Sequence, residues 1–204
     1  MPALPFEIVA FDKHKHARGQ FDCGVHSLNH FIQKQVSQDA RRNLNRCYAA
    51  THSDQPDRLA GYYTLSSHSV EPDNLPDDQA NQPYPTIPAA LIGRLAICQS
   101  FQGQGLGKAL VADAIKRLVK LRESLGVSLI IVDPLGEDVV AFYERFGFEE
   151  ADAGFLYLPM KTAMAAVAKA AVRAEAIGRR RYPGRAISRQ LAINLESEFF
   201  NNQR

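Results

Sequence analysis

A chain of 204 residues with 46% hydrophobic and 23% charged residues has the make-up of one globular domain plus an extension. These values exclude a wholly disordered, collagen-like or disulfide-scaffold protein. The formal net charge of +2 is unevenly spread: residues 161–204 hold nine Lys/Arg against three Glu, and the body before them is mildly acidic. A basic tail suits nucleic acid or an anionic surface, and equally a solvated helix face.

Cys23, Cys47 and Cys98 are odd in number and lack metal-ligand spacing, which fits a reduced, cytoplasmic compartment. The N-terminal stretch has no apolar signal segment, and no apolar run approaches the ~18 residues that span a bilayer. No membrane role is expected.

Phe6–Phe11 reads as a first strand. Ser27 is placed to cap a helix carrying Leu28, Phe31, Ile32 and Val36 on one face. Arg41–Arg46 is polar and basic. Cys47–Thr51 and Leu59–Val70 read as a strand pair. Glu71–Pro88 contains five of the eleven prolines and reads as a loop. Ala89–Ile97 returns as a strand. A helix is predicted from Leu106 to Leu125, with Leu106, Leu110, Ala114, Leu118, Leu121 and Leu125 on one stripe, ended by Gly126. Val127–Val132 reads as a buried strand, Glu137–Arg145 as a short helix and Phe155–Met160 as a last strand. Residues 163–176 include eight alanines and read as a tail helix, broken by Gly178–Gly184; Ile187–Phe200 would form a second. This order of strands and helices is an α/β pattern, with a central mixed sheet and helices on its faces.

The chemistry concentrates where a strand ends, glycines turn the chain and a helix begins, over Arg94–Lys108. Glycine at 103, 105 and 107 lets backbone N–H groups face a ligand without an intervening Cβ. The helix N-terminus adds unpaired donors and a positive partial charge. Together they suit a pyrophosphate. The spacing matches neither a dinucleotide-binding fingerprint nor a Walker A loop. Glycines used only for packing remain an alternative.

Gln102-x-x-Gly105-x-Gly107 resembles the acyl-CoA pyrophosphate loop of the GNAT N-acetyltransferases, whose pattern is Arg/Gln-x-x-Gly-x-Gly/Ala. Ala141–Phe148 (AFYERFGF) resembles the same family's late helix-turn. Further segments in order are similar to the GNAT toxins of bacterial type II toxin–antitoxin modules: Phe21-Asp22-Cys23-Gly24, Leu28-Asn29-x-Phe31, Gly61-Tyr62-Tyr63-Thr64-Leu65, Ile87-Pro88 and Gly93-Arg94-Leu95-Ala96-Ile97. The resemblance covers roughly residues 6–161. It implies an acetyltransferase domain at 1–161, and the Ala-rich, basic helical tail at 162–204 lies beyond it. It implies a mostly antiparallel GNAT sheet, acetyl-CoA as co-substrate and aminoacyl-tRNA as acceptor. The partner it implies is a cognate ribbon-helix-helix antitoxin, and homodimers are common in the group.

By that resemblance, Gln102, Gly103, Gln104, Gly105, Leu106, Gly107 and Lys108 hold the pyrophosphate. The backbone of Leu95 and Ile97 pairs with the pantetheine arm as an added strand. Tyr143 is the catalytic acid, protonating the departing thiolate; the alternative is a core aromatic between Phe142 and Phe146. No general base stands out, and an amine beside an ester is already largely neutral at cell pH. His68 is a candidate proton acceptor. His26 and His30 have metal-pair spacing but no third ligand, so no metal site is expected.

Arg41, Arg42 and Arg46 form a basic run with Lys34, and Lys13, Lys15 and Arg18 form another; each suits tRNA phosphates or a solvated face. Arg94, a charge inside an apolar strand, needs a partner or a ligand. Two other functions stay open: a GNAT enzyme acting on a small amine or a protein lysine, and a non-catalytic acyl-CoA-binding module.

Overall fold

Tyr, Thr and Ala-rich segments build the first half of the sheet. In the computed structural model, which describes residues 5–181, Arg46–His52 (β2) and Gln55–Val70 (β3) form an antiparallel hairpin, with bulges around Thr51. Phe6–Ala10 (β1) pairs antiparallel with the other edge of β2, from Phe6 opposite His52 to Ala10 opposite Tyr48. Between β1 and β2 lie His26–His30 (α1), a π-helical turn over Phe31–Gln35, and Val36–Arg41 (α2). After β3 come Asp77–Ala80 (α3), Ile87–Ile97 (β4), Leu106–Leu121 (α4), Leu129–Val132 (β5) and Glu137–Glu144 (α5). Glu149–Glu150 (β6), Leu156–Pro159 (β7) and Met160–Arg181 (α6) complete the described chain. The strand order is β1-β2-β3-β4-β5-β7-β6, a mixed α/β fold whose seven-stranded, mostly antiparallel sheet is flanked by helices.

The chain divides into two compact units. Among the described residues, the first takes 5–67 and 91–114. Its core is the helical face read from the sequence: Phe31, Ile32 and Val36 are fully buried, and Leu28 nearly so. Phe31 stacks on Tyr62 with ring centroids 6.0 Å apart, and Phe21 meets the same ring edge-on. The Tyr62 hydroxyl donates to the Leu28 carbonyl at 2.8 Å, so this deep phenol is satisfied. Gly61 lets helix and strand approach closely. A Cβ there would lie 3.0 Å from the Ala96 carbonyl and 3.2 Å from side-chain atoms of both Leu106 and Leu110.

The second unit takes 68–90 and 115–181 among the described residues. All four residues of β5 are buried, as expected of a strand covered on both faces. It pairs antiparallel with β7, from Leu129 opposite Pro159 to Val132 opposite Leu156. Gly147, at φ +86°, turns the chain out of α5, a conformation that suits glycine. In α6, Met160, Ala163, Ala170 and Ala174 are buried at helical spacing.

Several sequence expectations need correction. Ser27 is not the helix cap: α1 starts at His26 behind an extended Val25, with no side-chain cap. The start is fixed instead by Asn29, whose side-chain Oδ1 accepts the Cys23 N–H at 2.9 Å. The Leu106 helix stops at Leu121, and turns rather than Gly126 end it. Its stripe leaves the core there: Leu118 is buried, whereas Leu121 and Leu125 are 42% and 51% exposed. The proline-rich loop contains α3, and β6 was not foreseen. Gly178 does not break the tail helix, which runs on to Arg181 because one glycine costs only ~1 kcal/mol in a helix. The expected helix over Ile187–Phe200 lies outside the described residues.

Candidate active site

The end of β4 and the start of α4 place the glycine loop. Gln99–Phe101 forms a single 3-10 turn, and the buried Phe101 anchors it. Gly103 and Gly105 adopt φ +73° and +81°, where other residues are strained. A Cβ on Gly103 would meet no atom within 4 Å, so packing does not explain this glycine. The loop instead keeps open space in front of its backbone. Ala109 donates back to Gly105 O, so the amides of Leu106, Gly107 and Lys108 belong to the first turn, where no intrahelical acceptor exists. Leu106 is buried and fixes the turn from below. Positive φ at two glycines, open space and a helix start fit a diphosphate.

Gln102 does something the sequence did not reveal. Its side-chain amide donates to Ile97 O at 3.0 Å and to Cys23 O at 3.3 Å. Gln104 donates to Ser100 O at 3.1 Å. These glutamines tie the loop to its own strand and to the turn at Asp22–Gly24. That turn is braced in return. The Asp22 carboxylate accepts from Gly24 N and from the Asn29 amide, and its backbone carbonyl accepts from Gln99 N. The Gly24 N–H, then Asn29, hold the Asp22 carboxyl below the usual carboxylate range. This turn is not among the elements expected from the sequence, and the Asp-x-Gly spacing is the local signal that could have found it.

The remaining predicted residues are dispersed. Leu95 and Ile97 are half-buried on β4. Arg46 is occupied in closing α2, with its guanidinium bonded to Ala40 O and to the Asn43 side chain. Arg41 and Arg42 are exposed, and Arg41 lines a cavity of about 880 Å³ with Lys13 and Lys15. Arg94 is elsewhere: its guanidinium lies 4.1 Å above the centre of the Phe31 ring. His68 is exposed at the far end of β3.

Tyr143, in α5, is 5% exposed and packs edge-on against Phe142 and Phe148. Burial pushes its phenol up to about 12. Four tyrosines of the described residues are buried. The hydroxyl of Tyr62 is bonded to Leu28 O, that of Tyr63 to Asp113 and that of Tyr157 to Glu149. Tyr143 alone among these four has no bonded partner for its hydroxyl within the described residues. A protonated, uncommitted phenol is a proton donor in waiting.

Fold and glycine loop together define an acyl-CoA-dependent N-acyltransferase. A family model of the acetyltransferase (GNAT) domain matches residues 44–150, and the chain belongs to that family. It is 35% identical over 150 residues to a tRNA-acetylating toxin of Mycobacterium tuberculosis, covering 72% of this chain and 88% of the relative. The solved structure of a tyrosine-to-phenylalanine variant of KacT superposes with a TM-score of 0.74 at 32% identity, over 79% of this chain and 98% of that one. AtaT complexed with acetyl-methionyl-tRNAfMet gives 0.72 at 30% identity, over 78% and 98%. Other AtaT structures hold acetyl-CoA or the C-terminus of the antitoxin AtaR. No helix among the described residues is long and apolar enough to cross a membrane.

Proposed function

We propose that this GNAT enzyme is a toxin that transfers the acetyl group of acetyl-CoA to the α-amine of aminoacyl-tRNA, blocking translation. The observation that carries the donor half is the open, positive-φ glycine loop at the start of α4. The acceptor half rests on likeness to proteins described as acting on tRNA. The backbone amides of Gly103–Lys108 hold the pyrophosphate. Gln102 shapes the loop from behind, through Ile97 O and Cys23 O. The β4 backbone at Leu95 and Ile97 receives the pantetheine arm. The substrate amine attacks the thioester carbonyl carbon as the C–S bond breaks. Tyr143 gives its phenolic proton to the departing thiolate, and water takes the proton lost by the amine, from which the phenol is restored. The uncommitted hydroxyl of Tyr143 supports this role, and solved relatives were prepared with a tyrosine replaced by phenylalanine.

The acetyltransferase takes residues 1–161, and 162–204 are an appended tail. A ribbon-helix-helix antitoxin is the partner, and the enzyme works in the cytoplasm, where charged tRNA is found, as a homodimer. Relatives solved with an antitoxin or as a toxin–antitoxin–DNA complex support the partner.

The test is growth after induction of the wild type or of Tyr143→Phe, with mass spectrometry of charged tRNA. Arrest and N-acetylated aminoacyl-tRNA are expected with the wild type only. Arrest by both variants removes Tyr143 from the chemistry. Normal growth with the wild type, from folded protein that binds acetyl-CoA, moves the reading to a small-amine or lysine acetyltransferase.

A further inference from the structure

Five side chains able to donate a hydrogen bond to an anion converge on one cavity. The cavity is about 340 Å³ and is lined by His26, Ser27, Leu28, His30, Gln35 and Arg94. Among the described residues, no carboxylate lines it. His26 and His30 sit one helical turn apart on α1, with ring centroids 6.3 Å apart. Arg94 reaches in from β4. Its backbone N–H is fixed by the buried Thr64 hydroxyl at 3.0 Å, and its guanidinium lies over the buried Phe31 ring.

The guanidinium is held in place without being neutralised. Arg18, Arg46 and Arg58 all spend guanidinium N–H groups on protein oxygens. Among the described residues, the Arg94 guanidinium lies over the Phe31 face and makes no hydrogen bond or ion pair to a protein oxygen, while its backbone N–H is held by Thr64. Its N–H fork is therefore available, and such a fork matches phosphate oxygens two at a time. Stacking on a fully buried ring limits the rotamer freedom that binding would otherwise have to remove. An imidazole offers an N–H donor in either protonation state.

We propose that Arg94, with His26 and His30, forms a phosphate-binding site that holds the RNA backbone of the acceptor substrate. This rests on the aminoacyl-tRNA reading above. Arg94 is the neighbour of Leu95 on β4, so the strand assigned to the acetyl donor also carries the grip on the acceptor.

The test is steady-state kinetics of Arg94→Gln, Arg94→Lys and a charge-matched control, Lys120→Gln, at several salt concentrations. Arg94→Gln is expected to raise KM for aminoacyl-tRNA by about tenfold, the scale of one charge-assisted hydrogen bond. It is also expected to flatten the slope of log kcat/KM against log salt by about 0.7, as one lost phosphate contact on a single strand does. Arg94→Lys keeps the slope, and Lys120→Gln changes neither quantity. Unchanged KM and slope in Arg94→Gln overturn the site, and normal acetyl-CoA affinity in that variant excludes misfolding as the cause of a loss. The other phosphate source is the 3′-phosphate of coenzyme A. A rise in KM for acetyl-CoA that vanishes with the dephospho form assigns the pocket to the donor and overturns the proposal. Failure of the wild type to acetylate charged tRNA sinks the functional reading itself, a result read in a separate arm from the variants.

Discussion

Tyr143 shows how a single side chain can be selected by what it lacks. Each of the other three buried phenols spends its proton on an acceptor, Leu28 O, Asp113 or Glu149. Tyr143 is buried against Phe142 and Phe148 and keeps its own. Burial raises its pKa to about 12, because the phenolate would be poorly solvated there. The sign follows directly. The donor form is present below the raised value and is lost only as pH climbs through it. Activity should therefore show no falling limb near pH 10, the ordinary phenol value. A kcat profile measured from pH 7 to 10.5 checks this, and a limb at about 10 would mean the acid is solvent-exposed or is another group. The aromatic run around Tyr143 was legible in the sequence as a motif. The free hydroxyl was not, because it depends on the absence of a partner in three dimensions.

At the scale of elements, the glycine loop was legible because its requirement is local. Positive φ at Gly103 and Gly105 is written into the residue type. What holds the loop was not legible, since Gln102 bonds to a carbonyl 79 residues away in sequence. Ser27 misled for the same reason: a good capping residue lost to Asn29, whose partner Cys23 lies outside the helix. The end of α4 was overrun because leucines at helical spacing continue past the point where the helix still faces a core. The length of β3 was understated, and its Gly61 carries a testable constraint. Gly61→Val puts a branched side chain against the Ala96 carbonyl and against Leu106 and Leu110. Backbone cannot yield as a flexible side-chain tip can, so a loss of about 1–3 kcal/mol is expected from overpacking. Urea unfolding reads it as a lower midpoint at unchanged m-value. An unchanged midpoint would show that α4 can move away at little cost.

For the molecule as a whole, the order of strands and helices foretold an α/β fold, and the tail helix is less separable than its sequence suggests. Ala163, Ala170 and Ala174 are buried, so the small residues that looked like mere helix propensity also serve close packing. Deleting residues 165–204 should lower the thermal midpoint by several degrees, in line with losing roughly 1–2 kcal/mol from a chain of this size. Calorimetry of the truncated and full-length proteins checks it, and equal midpoints would make the whole tail dispensable for folding.

The two ends of the strand order are also unequal. β6 offers two residues, Glu149 and Glu150, both exposed carboxylates. β1 offers five, and Glu7 is its only charge. A stray strand docking beside β6 would find two rungs and a repulsive pair of anions. One docking beside β1 would find a longer ladder guarded by a single carboxylate. Misassembly of this protein thus has a polarity, and under crowding or heat the first copies to join wrongly would do so through β1.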